Sequence, residues 1–211
     1  MKVIKVGTVF SGIGSPEQAL IRLNVPHKLM FACDNGERII SCDYKVEFEK
    51  VKSLSSAKEK REYVDKLYAD RTRQTNYVQR SYLANYAVED NNFYQDVILL
   101  DGSDFENKVD LFVGGSPCQS FSIAGARGGF EDTRGTLFFE YCRLVNEIKP
   151  EVFIYENVYG VLTHDKGSTW KTMQNVFSEL GYYFSWQILD ARDFGIPQGR
   201  RRLFVVGFKD K

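Results

Sequence analysis

Residues 3–10 form a short β-branched run that breaks at Ser11-Gly12-Ile13-Gly14, and residues with helical spacing, Glu17, Ala19, Leu20 and Leu23, follow at once with Pro16 in the first turn. A strand that runs straight into a helix cannot pair with its successor through a tight hairpin, so this order asks for a crossover and a parallel partner. The unit recurs. Strand-type runs at 28–33, 97–100, 111–115 and 152–155 alternate with helix-compatible stretches, notably 137–148, with Pro150 just beyond, and 168–180, which Gly181 can cap. The final pair, 184–189 and 202–208, can close one sheet edge as an antiparallel return. The expected fold is α/β, with a mostly parallel sheet and helices on both faces.

One stretch breaks the rhythm. Residues 45–90 are charged and tyrosine-rich (Tyr63, Tyr68, Tyr77, Tyr82, Tyr86), contain no glycine and carry no strong strand signal. They read as a helical insertion whose ordinary role is a solvated face. The Arg71, Arg73 and Arg80 cluster among tyrosines leaves contact with nucleic acid or a partner chain open.

A length of 211 residues with 43% hydrophobic and 27% charged residues fits one soluble domain. No apolar run reaches the 18 residues a membrane span needs, and the N-terminus lacks the ordered segments of a signal peptide, so cytosol or nucleoid is the expected location. The four cysteines form no C-x-x-C pair and have no histidine at ligand spacing, so no metal site is expected. The balanced net charge excludes a uniformly basic nucleic-acid-binding surface; local patches or another chain must meet any phosphates.

Four places carry chemistry. Phe10-Ser11-Gly12-Ile13-Gly14 lets the backbone turn sharply and approach a ligand, but lacks the full dinucleotide spacing. Asp34, at the end of the second strand, can accept hydrogen bonds from two ribose hydroxyls, and Asp96-Val97 fall where a purine edge would lie. Cys118, in Gly114-Gly115-Ser116-Pro117-Cys118, follows the fourth strand, where open α/β sheets keep their chemistry; Cys33, Cys42 and Cys142 read as small buried hydrophobes. A nucleophilic thiol needs a cationic neighbour or a helix N-terminus, and arginines near the C-terminus are candidates. Glu156, in Tyr155-Glu156-Asn157-Val158, is costly at a strand end unless paired or protonated, and a raised pKa would suit a proton donor. Arg200 and Arg202 fall on one side of an extended segment.

Taken in order, FSGIGS, ACDN, QDV, GGSPCQSFS, GGFEDTRGTLF, YENV and FGIPQGRRRLFVVGF resemble the successive motifs of the C5-cytosine methyltransferase family, from Val6 to Phe208 apart from the insertion. The resemblance implies a Rossmann-like S-adenosylmethionine-dependent fold with a seven-stranded sheet. It implies that Phe10, Gly12 and Gly14 line the cofactor pocket, that Asp34 holds the ribose, Asp96 and Val97 the adenine, that Leu137 packs on that ring, and that Pro117 shapes the nucleophile loop. Cys118 would add to cytosine C6, Glu156 would bind or protonate N3, Arg202 would contact the base and Arg200 would support the loop. The substrate implied is double-stranded DNA with its target base flipped out, in a modification enzyme of bacterial or phage type.

Thr8, Ser15 and Ser116 depart modestly from the family pattern, and Asn35 or Glu37 takes the ribose role if the turn is one residue longer. Family members continue past the position of Phe208 into a target-recognition domain and two further motifs. A split enzyme with a second subunit, a truncated chain and an inactive relic are the three readings. The intact Cys118, Glu156, Arg200 and Arg202 speak against the relic. A transfer-RNA substrate and a purely binding role are the competing functions, and an apolar edge marking a subunit interface is the structural expectation.

Overall fold

The computed structural model describes residues 2–117 and 137–209. Seven strands, β1 (Ile4–Val9), β2 (His27–Cys33), β3 (Phe93–Tyr94), β4 (Leu111–Gly114), β5 (Val152–Val158), β6 (Tyr183–Asp190) and β7 (Arg201–Phe208), form one sheet in the order β3-β2-β1-β4-β5-β7-β6. The first five in that order run parallel, and β7 is antiparallel to both β5 and β6. The sheet is therefore mixed and not mostly parallel as expected. β7 returns directly from the turn after β6 and enters between β6 and β5, so both of its pairings are antiparallel.

The third strand also lies elsewhere than expected. It is the short Phe93–Tyr94 pairing with Ala32–Cys33, and residues 97–100, of which Val97, Leu99 and Leu100 are buried, join no ladder. Asp96 turns the chain there, because its side-chain Oδ1 takes the Ile98 N–H at 2.9 Å and diverts that donor from any strand partner.

Helix α1 (Ser15–Arg22) follows β1; α2 (Tyr44–Ser53), α3 (Ala57–Arg71) and α4 (Tyr77–Asn85) fill the stretch between β2 and β3; α5 (Leu137–Ile148) precedes β5 and α6 (Ser168–Glu179) follows it. Asp43, Ser56 and Asn76 cap the starts of α2, α3 and α4 by accepting first-turn N–H bonds. Strand side chains alternate between faces. Phe31, Phe112, Phe153 and Tyr155 meet Phe138, Tyr141 and Leu144 of α5 and Met173 and Phe177 of α6 in the main core, with the Phe153 and Phe177 rings stacked at 5.5 Å. On the opposite face Val6, Leu29 and Phe93 pack on Tyr82 of α4, with Leu20 of α1 alongside. A third cluster, Ile40, Val51, Val64, Leu67, Tyr68 and Leu99, ties α2 and α3 to the segment after β3.

The α1 side of the sheet is covered only in part. Along β5 the residues facing α5 and α6 are buried, while Val152, Ile154, Glu156 and Val158 are half-buried; Leu111 and Val113 of β4 and Phe204 and Val206 of β7 continue the same surface. The chain order reverses between β1 and β4, and a crevice opens at their carboxyl ends, where open α/β sheets bind ligands. No described helix is long and apolar enough to cross a membrane.

Candidate active site

The turn leaving β1 holds Phe10, Gly12 and Gly14 with positive φ values of 52°, 52° and 90°. Gly14 sits against the Tyr86 ring, whose hydroxyl donates to the Gly14 carbonyl at 3.0 Å, so a side chain there would be both strained and obstructed. At Gly12 an added side chain would meet nothing within 4 Å, so this turn faces open space. Phe10 packs at the edge of the main core. The Ser11 hydroxyl accepts the Cys33 N–H at 3.1 Å and contacts Thr8 at 2.9 Å, joining the turn to β2.

Asp34 reinforces this junction. One carboxylate oxygen accepts the Gly12 N–H at 2.9 Å and the other accepts the Gly36 N–H at 2.8 Å, leaving each oxygen a second acceptor direction. Its neighbour Asn35 is occupied within the turn, accepting from Glu37 N and donating to Arg38 O, and Glu37 is exposed. Asp96 is buried beyond β3, and its Oδ2 accepts from the Tyr68 hydroxyl at 2.6 Å. Burial pushes its carboxyl above the ordinary range, against the Tyr68 hydroxyl, the Ile98 N–H and the Tyr44 hydroxyl, which favour the charged form. The Val97 carbonyl accepts from Arg143 of α5 at 2.9 Å, and Leu137 begins α5 at the edge of the main core.

On the other side of the crevice, β5 and β7 bring Glu156 and Arg202 together: Arg202 Nε lies 2.9 Å from Glu156 Oε1. The register sets this up, since Val158 pairs with Arg202 and Glu156 with Phe204, all on the half-covered face. Burial raises the Glu156 carboxyl above the ordinary range, while Arg202 and Arg200 pull it back. Arg200 is exposed, and its carbonyl accepts from Ala191 N at 3.0 Å to close the turn between β6 and β7. Gly115, just past β4, approaches so closely that a Cβ would lie 2.8 Å from Glu156 Oε2.

The loop after β4 is fastened from beneath by residues that sequence reasoning passed over. Ser116 Oγ is 2.6 Å from Tyr155 Oη, and the buried Asn157 amide donates to the Ser116 carbonyl at 3.2 Å and to Tyr155 Oη at 2.7 Å. Alternation along β5 was the available signal, because it sends Tyr155 and Asn157 to the face opposite Glu156. Pro117 is exposed at the end of this segment. Cys118, its neighbour in the chain, lies outside the described residues. The other cysteines have no catalytic environment: burial pushes the Cys33 and Cys142 thiols well above their usual range and raises Cys42 as well. No group of three or more metal-ligating side chains occurs among the described residues.

A glycine turn, two strand-end carboxylates and a Glu–Arg pair thus ring the carboxyl ends of β1 to β5. Residues 53–211 match the model of the C-5 cytosine-specific DNA methylase family. The chain belongs to this family. It is 36% identical over 210 residues, its entire length, to the orphan methyltransferase M.Rho11sI of Bacillus phage rho11s, covering 34% of that protein. It is 47% identical over 133 residues to the type II methyltransferase M.HpaII of Haemophilus parainfluenzae, a match spanning 62% of this chain and 36% of the relative. The crystal structure of the S. pombe Dnmt2 methyltransferase superposes over the whole chain and 51% of its own length, with a TM-score of 0.63 at 19% identity, a likeness of fold. This C-5 cytosine methylase chain spans about a third of the length of the curated relatives it matches.

Proposed function

We propose that the chain is the catalytic part of a DNA (cytosine-5) methyltransferase with a Rossmann-like S-adenosylmethionine-dependent fold. The observation that carries this reading is the Glu156–Arg202 pair, held beside the end of β4 from which the chain enters Pro117-Cys118, across from Asp34 and Asp96. The residues fit an adenosyl cofactor: the open space over Gly12 admits a ligand, and the Asp34 and Asp96 carboxylates are acceptors suited to ribose hydroxyls and to an exocyclic amine. Phe10, Gly12, Gly14, Val97, Pro117 and Leu137 complete the proposed lining.

In this reading the Cys118 thiolate adds to C6 of a cytosine turned out of the duplex, at an unstacking cost of about a few kcal/mol. Negative charge then builds on the pyrimidine, and Glu156 meets it at N3 with its proton; its raised pKa supports that role. Arg202 orients Glu156 and contacts the base, while Arg200 adds positive potential nearby. The addition makes C5 an enamine carbon, and bound S-adenosylmethionine supplies the methyl group that this carbon takes. Loss of the C5 proton to water, return of the N3 proton to Glu156 and departure of Cys118 as thiolate restore the neutral aromatic ring and the protonated carboxyl. The type II and orphan relatives support a modification role in a bacterial or phage setting, acting in the cytoplasm where the DNA lies.

Target recognition is assigned to the part of the relatives that this chain does not match, carried either by a further segment or by a second subunit, which would also cover the half-buried face of β4, β5 and β7. The test of the chemistry is trapping of the chain, complemented in trans with the remaining part of the phage rho11s relative, on an oligonucleotide carrying 5-fluorocytosine in the presence of the cofactor. A covalent protein–DNA complex that disappears with Cys118→Ser is expected. A complex that survives this substitution would remove Cys118 from the mechanism.

A further inference from the structure

The helices of 45–90 do more than present a solvated face. Tyr68, on the inner side of α3 and 2% exposed, gives its hydroxyl to Asp96 Oδ2 at 2.6 Å. The Arg38 guanidinium covers the Tyr68 ring at 4.7 Å, donates to the Asn35 carbonyl at 2.9 Å and bonds Gln95 Oε1. That same Gln95 oxygen accepts from Asn76 Nδ2 at 3.0 Å, and Asn76 Nδ2 also donates to the Asp34 carbonyl at 2.9 Å. Asn76 in turn caps α4 through Gln79 N at 2.9 Å. A continuous polar path thus joins Asp96 to Asp34, and two of its members, Tyr68 and Asn76, come from the inserted helices. Arg38, Asn76, Gln95 and Asp96 are all buried, where directional bonds to ionised groups are strong and their loss is costly.

We propose that the insertion braces the nucleoside subsite: Tyr68 aims the Asp96 carboxylate and Asn76 anchors the turn that carries Asp34. Both are positioning residues acting through the two carboxylates. The inference rests on the reading of Asp96 as the adenine acceptor. A purely structural Tyr68 would behave differently, because its ring fills the third cluster whether or not the hydroxyl is present, and any loss would fall equally on every ligand. A brace makes the loss specific to the group that Asp96 receives.

The experiment is calorimetric titration of the full chain, and of Tyr68→Phe, with S-adenosylhomocysteine and with its analogue lacking the 6-amino group of the purine. The unaltered chain is expected to prefer the amino-bearing ligand, and Tyr68→Phe to cut that preference about tenfold while leaving affinity for the analogue unchanged. Equal weakening of both ligands, or no weakening of either, would overturn the brace. An unaltered chain without preference, or one that binds neither ligand, would instead overturn the adenine reading of Asp96 on which the brace rests. Should Tyr68→Phe not fold, amide exchange on the unaltered chain decides. S-adenosylhomocysteine is expected to slow exchange in α3 around Tyr68 and at Gln79, and unchanged exchange there with ligand bound would reject the brace.

Discussion

Glu156 stands under two opposing demands, since its position at a strand end raises the cost of its charge while Arg202, at 2.9 Å, stabilises that charge. The balance leaves a carboxyl that is easier to protonate than an exposed one and still held in a fixed direction, which is what proton delivery to a ring nitrogen requires. Glu156→Gln keeps the shape and removes the proton. In the chain complemented in trans with the remaining part of the phage rho11s relative, it is expected to lower kcat by about a hundredfold or more with S-adenosylhomocysteine affinity intact, and near-normal methyl transfer in a single-turnover assay would exclude the role. Gly115→Ala tests the same carboxyl sterically, because the new methyl would meet Glu156 Oε2 at 2.8 Å and the Glu156 carbonyl at 3.0 Å. The overpacking costs about 1–3 kcal/mol, read as a lowered urea midpoint, and kcat of the complemented chain should fall further than that loss of folded protein explains. Equal losses in folded fraction and activity would mean that Gly115 matters only for packing.

At the scale of elements, the caps and ion pairs of the insertion explain why so charged a stretch orders. Lys60 of α3 reaches both Asp101 and Asp104 at 2.8 Å, pinning the insertion to the segment after β3. Lys60→Ala would strand a buried carboxylate and is expected to cost about 3 kcal/mol in urea denaturation, whereas a loss below about 1 kcal/mol would mark the pair as solvated. The turn between β6 and β7 depends on acidity instead. Asp190 accepts from the Arg192 side chain and its N–H, which hold its carboxyl well below the ordinary range. A carboxyl depressed on folding contributes stability above its unfolded value, about 4, and loses it as the pH falls through and below that value. The amide signals of Arg192 and Gly195 should therefore hold through about pH 4 and shift only well below it, and Asp190→Asn should abolish the shift; a shift that sets in near about pH 4, or that persists in the variant, would assign it elsewhere. Much of this architecture was legible from sequence because glycine turns and helical spacing are local: 137–148 reads as the helix Leu137–Ile148, and YENV and QGRRR bring Glu156 to Arg202. The rest was not, because it depends on distant partners. Nothing local to Asp96 tells that its side chain will break the expected strand, and nothing in the α3 sequence tells that Tyr68 will face it across 28 residues.

For the molecule as a whole, the half-buried face decides what the chain can do alone. Two apolar rows, Leu111–Val152–Phe208 and Val113–Ile154–Val206, cross β4, β5 and β7 and lead to Glu156 and Arg202 at the rim. We expect this partly exposed apolar face to be an interface, and a segment laid over it would also stiffen the strands that carry the proposed catalytic pair. The matched region is 34% of the phage rho11s protein, so the remaining part of that relative is a natural donor of such a segment. Methyl transfer from radiolabelled S-adenosylmethionine to mixed-sequence duplex DNA is expected to be negligible with this chain alone and to appear when that part is added in trans. Val206→Lys separates docking from folding: a charge on a half-buried site should change the stability of the isolated chain by no more than about 1 kcal/mol yet prevent complementation. If the lysine variant is complemented as well as the unaltered chain, the face is not the interface. If the chain methylates DNA unaided, the whole assignment of recognition to outside segments fails, and the exposed Tyr77 and Arg80 of α4 become the first residues to test for contact with DNA.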